Sequence, residues 1–299
     1  MRAVVADGSG GPERLRTVRV PVPQPAAGQV RVRVRAAGLN PVDGAVRAGV
    51  FGGGDRRLGF GWDVAGEVDE LGAEVSGWAV GDRVVGLHYG PVKPLGTHAE
   101  YAVLDASALA AAPSSAGPEA AAALPLSGLT AARAVDLLEL APGASVLVTG
   151  AAGVVGGLAV QLAVRAGYAV TALAGPDDEA LVRSLGAAAF VPRGAAPAAP
   201  VDGVVDAAVL GEPALAFVRD GGAYVGLRPG AAPAAGRGVR VAEQEVAADG
   251  AHLARLVSLV DAGELTLRVA ETYPLEEAAK AHARLAEGGT RGRIVLTVG

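Results

Sequence analysis

Valine and arginine alternate strictly in VRVRVRAAG at 30–38. A period of two puts one set of side chains on each face of an extended chain, which predicts a half-buried strand with a wet arginine face. Further β-like runs are DVAGEVDEL at 63–71, DRVVGL at 82–87 and AEYAVLD at 99–105. Their regular spacing, with glycine between them, predicts a compact barrel-like β domain in this first part of the chain.

Near residue 117 the texture changes. GPEAAAALPLSGLTAARAVDLLEL is rich in alanine and leucine, and Pro118 and Glu119 suit the start of a helix. Strand and helix patterns then alternate: strand 145–149 before helix 154–166, strand 168–173 before helix 177–185, and strand-like 201–209 before 222–227. That rhythm predicts an α/β domain with a doubly wound parallel sheet. The segment 191–203, rich in proline and alanine, reads as a loop or shortened connection. In the tail, HLARLVSLVDAG at 252–263 and EEAAKAHARLAEG read as amphipathic helices, and RIVLTV at 293–298 as a closing strand.

Composition narrows the function. A chain of 299 residues accommodates two domains. A net charge of −5 with no basic block argues against nucleic acid or an anionic membrane as partner. The absence of cysteine excludes disulfides, thiolate nucleophiles and thiolate zinc sites, and fits a reducing cytoplasm. No apolar core of a signal peptide follows the N-terminus. The charge-free stretch 143–164 is long enough to imitate a membrane span, but its glycines split it into strand, turn and helix.

That split falls in VLVTGAAGVVGG at 146–157, where Gly150, Gly153 and Gly156 recur every third residue. A buried strand feeding a tight turn and a helix leaves the first helical N–H groups pointing outward, where they and the helix dipole favour an anion. Bare glycines let main chain approach a pyrophosphate, and a last small residue lets helix and strand pack closely. Gly150, Ala151, Ala152, Gly153, Val154 and Val155 are therefore the candidate dinucleotide turn. The spacing differs from the commoner G-x-G-x-x-G, and a turn kept only for packing is the alternative. At the tip of the second strand stand Ala174 and Gly175, with no carboxylate for ribose hydroxyls. That favours NADP over NAD. Asp177 and Asp178 follow, and no cation comes before Arg183. The aspartates read as acids at a helix start, with ribose contacts as the alternative.

Six ordered stretches resemble a known family. They are GLNPVDGAVRAG at 38–49, GWDVAGEVDELGAEVSGWAVGDRVVG at 61–86, GTHAEY, LPLSGLTA, VTGAAGVVGG and YPLEEAAKAHARLAEGGTRGRIVL. Together they resemble the medium-chain dehydrogenase/reductase superfamily, in its zinc-free quinone oxidoreductase (zeta-crystallin-like) branch. The resemblance implies a GroES-like catalytic domain over 1–117, completed by 264–299, and a Rossmann domain over 118–263, with the active site in a cleft between them. It implies NADPH-linked reduction of a quinone or enone, by a cytoplasmic homodimer. Zinc-dependent relatives carry a G-H-E motif where this chain has Gly61-Trp62-Asp63, and the four histidines are scattered at 88, 98, 252 and 282, so no metal is expected.

The resemblance also places residues. Asn40 matches an asparagine near the nicotinamide and Thr130 a threonine at the cofactor cleft. Ala208, Val209, Gly226 and Leu227 match later strand ends that line the dinucleotide. Arg293 stands where relatives have lysine. Two departures matter: relatives often have a tyrosine within 40–51, where this chain has Ala45 and Phe51, and NADP relatives often carry a base after the second strand, where this chain has acids. For the hydrogen-bond or proton donor, Asn40, Tyr89 and His98 are the candidates, with His88 beside them; packing roles are the alternative for each. His252 and His282 read as structural, and Asp63 and Asp82 as strand-end or turn residues. A cyclase or isomerase reusing the cleft, and a nucleotide-binding regulatory module, stand as rivals to the reductase.

Overall fold

The computed structural model describes residues 1–52 and 56–299. They form two units: Met1–Leu126 with Ala247–Gly263 and Leu267–Gly299, and Ser127–Val246 with Glu264–Thr266.

The first unit is built on the alternating strand, observed as Gln29–Gly38. Val30, Val32 and Val34 are buried in its core. The intervening arginines meet acids of the antiparallel neighbour Asp63–Leu71: Arg31 pairs Asp69 and Glu70, both at 2.6 Å, Arg33 pairs Asp69 at 3.1 Å, and Arg35 pairs Glu67 at 3.0 Å. The sheet runs Val269–Pro274, Arg293–Thr297, Gln29–Gly38, Asp63–Leu71, Arg83–Leu87, Leu109–Ala111, and Tyr101–Asp105 also pairs with Gln29–Gly38. A smaller sheet joins Arg16–Arg19, Arg2–Asp7 and Arg57–Gly59.

Two pieces expected in the dinucleotide domain lie in this unit instead. The helix Gly250–Asp261 packs so closely on Leu109–Ala111 that a Cβ on Gly250 would strike the Leu109 carbonyl oxygen. Its last residue, Asp261, accepts from Ser115 N at 2.9 Å and Ser115 Oγ at 2.8 Å. The helix Pro118–Ala121 lies against the main sheet, and Ala121, Ala122 and Ala123 are fully buried there. The texture change near 117 marks where alanine-rich packing begins, whereas the compact unit extends to Leu126.

The second unit is a six-stranded parallel sheet ordered Ala189–Pro192, Ala169–Ala174, Ser145–Thr149, Val201–Asp206, Val218–Gly226, Arg240–Glu243. The chain leaves the central pair in opposite directions, so a crevice is expected at the carboxyl ends of Ser145–Thr149 and Val201–Asp206. The membrane-like stretch resolves into the strand Ser145–Thr149 and the helix Val154–Arg165. No helix among the described residues is long and apolar enough to cross a membrane. Two local readings are adjusted and one strand is added. The start of 191–203 belongs to the edge strand Ala189–Pro192. The run 201–209 ends as a strand at Asp206, because the chain turns there and Val209 has a positive φ of 55°. The strand Arg240–Glu243, at the far edge, carried no clear alternation.

Val146, Leu147 and Val148 are wholly buried in the central strand. Leu147→Ala should cost about 2–5 kcal/mol of unfolding free energy. Arg33→Gln, on the wet face of the other unit, should leave stability nearly unchanged, because an exposed ion pair is screened by solvent. Urea denaturation of both variants checks the ranking, and a larger loss for the arginine would overturn it.

Candidate active site

In the second unit, the turn Gly150–Gly153 joins strand to helix. Gly150 has a φ of 60°, which a side chain resists. A Cβ on Gly156 would collide with the Gly150 carbonyl oxygen, so its bareness lets the helix sit against the turn. Gly153 is the N-cap of Val154–Arg165 and brings no capping side chain to the first-turn amides. This 12-residue helix therefore opens with main-chain donors of the kind that hold phosphate.

The neighbouring strand ends are organised by Asp206, which is fully buried. Its Oδ1 accepts from Thr149 Oγ1 at 2.6 Å, and its Oδ2 from Tyr224 OH at 2.7 Å and Gly211 N at 2.8 Å. Thr149 Oγ1 in turn accepts from Ala208 N at 3.0 Å. Burial and the adjacent Asp206 push the Tyr224 phenol up, keeping it a donor. These bonds hold the loop that carries Val209 in left-handed backbone, a conformation costing a β-branched residue about 1–3 kcal/mol. Val209 is 41% exposed.

Gly150, Ala174, Ala208 and Gly226 thus all stand at the carboxyl edge of one sheet, with Leu227 following Gly226. Ala151 and Ala152, within the turn, are buried. Gly175 receives Asp178 on its amide, Gly175 N donating to Oδ2 at 3.1 Å, so Asp178 is the helix-start acid expected of it. Thr130 is buried on the helix Pro125–Asp136.

In the first unit, a buried polar cluster surrounds Asn40. Asn40 N donates to Asp43 Oδ2 at 2.9 Å, and Gly61 N to Asp43 Oδ1 at 2.8 Å. Asn40 Nδ2 donates to Asp63 Oδ2 at 2.7 Å, and Leu126 N to Asp63 Oδ1 at 2.6 Å. A carboxylate can only accept, so the Asn40 amide is oriented with nitrogen towards Asp63. Its Oδ1 is left buried with no partner among the described residues. Burial pushes the Asp63 carboxyl up to about 6, against the pull of Arg293, Asn40 and Leu126. Asp63 is the strand-end residue with structural hydrogen bonds that the sequence suggested. The Asp82 carboxylate likewise accepts from Ala79 N at 2.8 Å within a turn.

Arg293 is enclosed by its surroundings. Expected at the cofactor, it is buried, donates from Nη1 to Leu39 O at 2.6 Å, and faces Asp63 and Asp43 electrostatically. It secures the Asn40 segment from behind. His98 is also interior: Nε2 lies 3.4 Å from Gly38 O, and its ring sits edge-on to His282 at 5.6 Å. Burial lowers its basicity, and the ring is enclosed at 1% exposure. His282 packs on Phe60 and His98, as the structural reading required, and His252 supplies its main-chain amide to the cap Asp249. Tyr89 is 46% exposed and meets Trp62 edge-on at 5.6 Å.

Lys93 was not singled out by the sequence. It is buried, donates to His88 O at 2.6 Å, and sits 4.6 Å from the Trp62 ring centroid. Burial pushes its ammonium down to about 8, with Asp43 and Asp63 opposing. A single lysine in a proline-rich loop carries no periodic signal. Asp43 had one: Asn40-Pro41-x-Asp43 reads as a helix start, and the helix Pro41–Arg47 follows it.

The buried imidazoles set an acid limit on stability. Burial pushes His88 down to about 3 and lowers His98 and His282. Between about pH 6.5 and 3 the unfolded chain then binds more protons than the folded one, so stability falls on acidification. Asp63 acts oppositely between 3.8 and about 6, but it is one group against three. The thermal midpoint should drop from pH 7 to pH 5, and His282→Phe should make that drop shallower. A flat or rising midpoint would contradict the assignment.

Two family models match the chain: an alcohol dehydrogenase GroES-like domain over residues 26–114 and a zinc-binding dehydrogenase domain over 178–296. The chloroplastic quinone-oxidoreductase QR1 of Triphysaria versicolor is 31% identical across 99% of this chain and 98% of its own length. A chloroplastic NADPH-dependent alkenal/one oxidoreductase of Arabidopsis thaliana is 38% identical over 62% of this chain and 51% of its own. The quinone oxidoreductase of Coxiella burnetii superposes with a TM-score of 0.90 at 29% identity, covering 100% of this chain and 99% of that one. With a GroES-like unit, an all-parallel Rossmann-like sheet and a quinone oxidoreductase relative matched along nearly its whole length, this chain belongs to the medium-chain dehydrogenase/reductase superfamily.

Proposed function

We infer that the protein is an NADPH-dependent reductase that passes hydride to a quinone or an α,β-unsaturated carbonyl without a metal ion. The observation that carries this reading is the bare turn at Gly150–Gly153, opening a helix at the carboxyl edge of a parallel sheet. The residues fit a dinucleotide. Val154 and Val155 would turn main-chain amides towards its pyrophosphate. Ala174 and Gly175 leave space beside the adenosine ribose, Ala208, Val209, Gly226 and Leu227 would line the remainder, and Thr130 would stand at the cofactor cleft.

When bound, the reduced nicotinamide supplies the hydride. The chain's part is position and field. Because Asn40 Nδ2 is engaged by Asp63, the atom Asn40 offers is its oxygen, an acceptor suited to a carboxamide N–H. Asn40 is then an orienting residue held by Asp63, Asp43 and Arg293. Of the three donor candidates, Tyr89 is the one on an open surface and would deliver the proton. Metal independence is supported by the donor set. The Asp43 and Asp63 carboxylate oxygens are already taken by N–H groups, which leaves them poorly placed to ligate a cation. A cytoplasmic homodimer is the assembly this reading carries.

NADPH fluorescence titration should give a dissociation constant well below about 1 mM. NADPH should be oxidised with at least one member of a quinone and enone panel. Asn40→Ala should lower kcat about tenfold to a hundredfold by loosening the reacting geometry. Absence of nucleotide binding would remove the reading; binding without any turnover would favour a regulatory module.

A further inference from the structure

The missing base after the second strand leaves a physical question: what would neutralise the 2′-phosphate of NADP(H)? We propose that Arg193, on the loop leaving the strand Ala189–Pro192, is the residue that reads this phosphate. The inference rests on the dinucleotide site above and goes beyond it by naming the group that separates NADPH from NADH.

The nearer candidates are excluded by their contacts. Arg183, the first cation after the strand tip, is held by Glu179, Nε to Oε1 at 2.8 Å, and by the Ala188 carbonyl at 3.2 Å. Ala174 and Gly175 carry no polar side chain. Asp178 is buried and turned back onto the Gly175 amide, so it is withdrawn from the ribose edge.

Arg193 is brought to the same edge by sheet pairing. Pro192 is in register with Ala174, and Arg193 N donates to Ala174 O at 2.7 Å. Its main chain is therefore bonded to the residue that ends the second strand, although nineteen positions separate them in sequence. A turn fixes it there: Ala195 N donates to Pro192 O at 3.0 Å, with Gly194 at a φ of 94°. The Arg193 side chain is exposed and enters no ion pair or hydrogen bond among the described residues. An unengaged guanidinium at this place matches a phosphate monoester, which it can grip through two N–H groups. NADH, with a hydroxyl in that position, offers it no charge.

Dissociation constants of NADPH and NADH should be measured for the wild type, Arg193→Ala and Arg193→Lys. A parallel competition should use 2′,5′-ADP against 5′-AMP. Arg193→Ala should weaken NADPH and 2′,5′-ADP about tenfold or more, while NADH and 5′-AMP change less than about twofold. Arg193→Lys should recover part of the preference, and the advantage of NADPH should shrink at high salt. The side chain is exposed, so the thermal midpoint should be unchanged in both variants. If both nucleotides bind and Arg193→Ala leaves their ratio as it was, the assignment of Arg193 is overturned. If the wild type binds neither nucleotide, the dinucleotide reading itself fails.

Discussion

Asp63 is the point to which the first unit is tied. A buried carboxylate is tolerated only when its lone pairs are met. Here they are met by Asn40 Nδ2 and Leu126 N, with Arg293 adding its charge. Those partners come from three distant stretches of chain, one of them close to the C-terminus. The bond network therefore both closes the unit and sets the Asn40 amide in one orientation. Arg293 reinforces it through Leu39 O, the carbonyl just before Asn40. Such an arrangement is costly to assemble from water and strongly destabilised by removing one partner, which suits a group whose position matters more than its contribution to stability.

The second unit repeats the device. Asp206 gathers Thr149, Tyr224 and the Gly211 amide at the carboxyl edge of the sheet. It thereby holds Val209 in backbone that the residue would leave if free. In both units a buried acid fixes a loop at the place where chemistry is expected. The glycines do complementary work: Gly150 permits the turn, and Gly156 permits the helix to approach it. Rigid position and bare main chain are what hydride transfer asks of a protein whose cofactor holds the reactive bond.

Elements whose two faces differ were readable from the chain alone. The alternation at 30–38 became Gln29–Gly38, with valines inside and arginines paired to acids outside. The apolar run with glycines every third residue became strand, turn and helix. Elements without a distinctive period were missed or misplaced. Arg240–Glu243 is a four-residue edge strand, and Ala189–Pro192 sits in a stretch dominated by alanine and proline. The helix Gly250–Asp261 was correctly read as a helix, yet its pattern says nothing about which unit its apolar face covers.

By itself, the sequence determined the α/β class, the order of the elements, the glycine turn between strand and helix, and the lack of thiolate chemistry. Each of these depends on neighbours a few residues apart or on composition. Tertiary structure alone decided that Arg293 supports Asn40, that His98 is an interior ring, that Lys93 lies against Trp62, and that Arg193 stands beside Ala174. Those outcomes depend on which strands become neighbours. Hydrogen bonding between strands joins residues of any separation, so no local period can announce it.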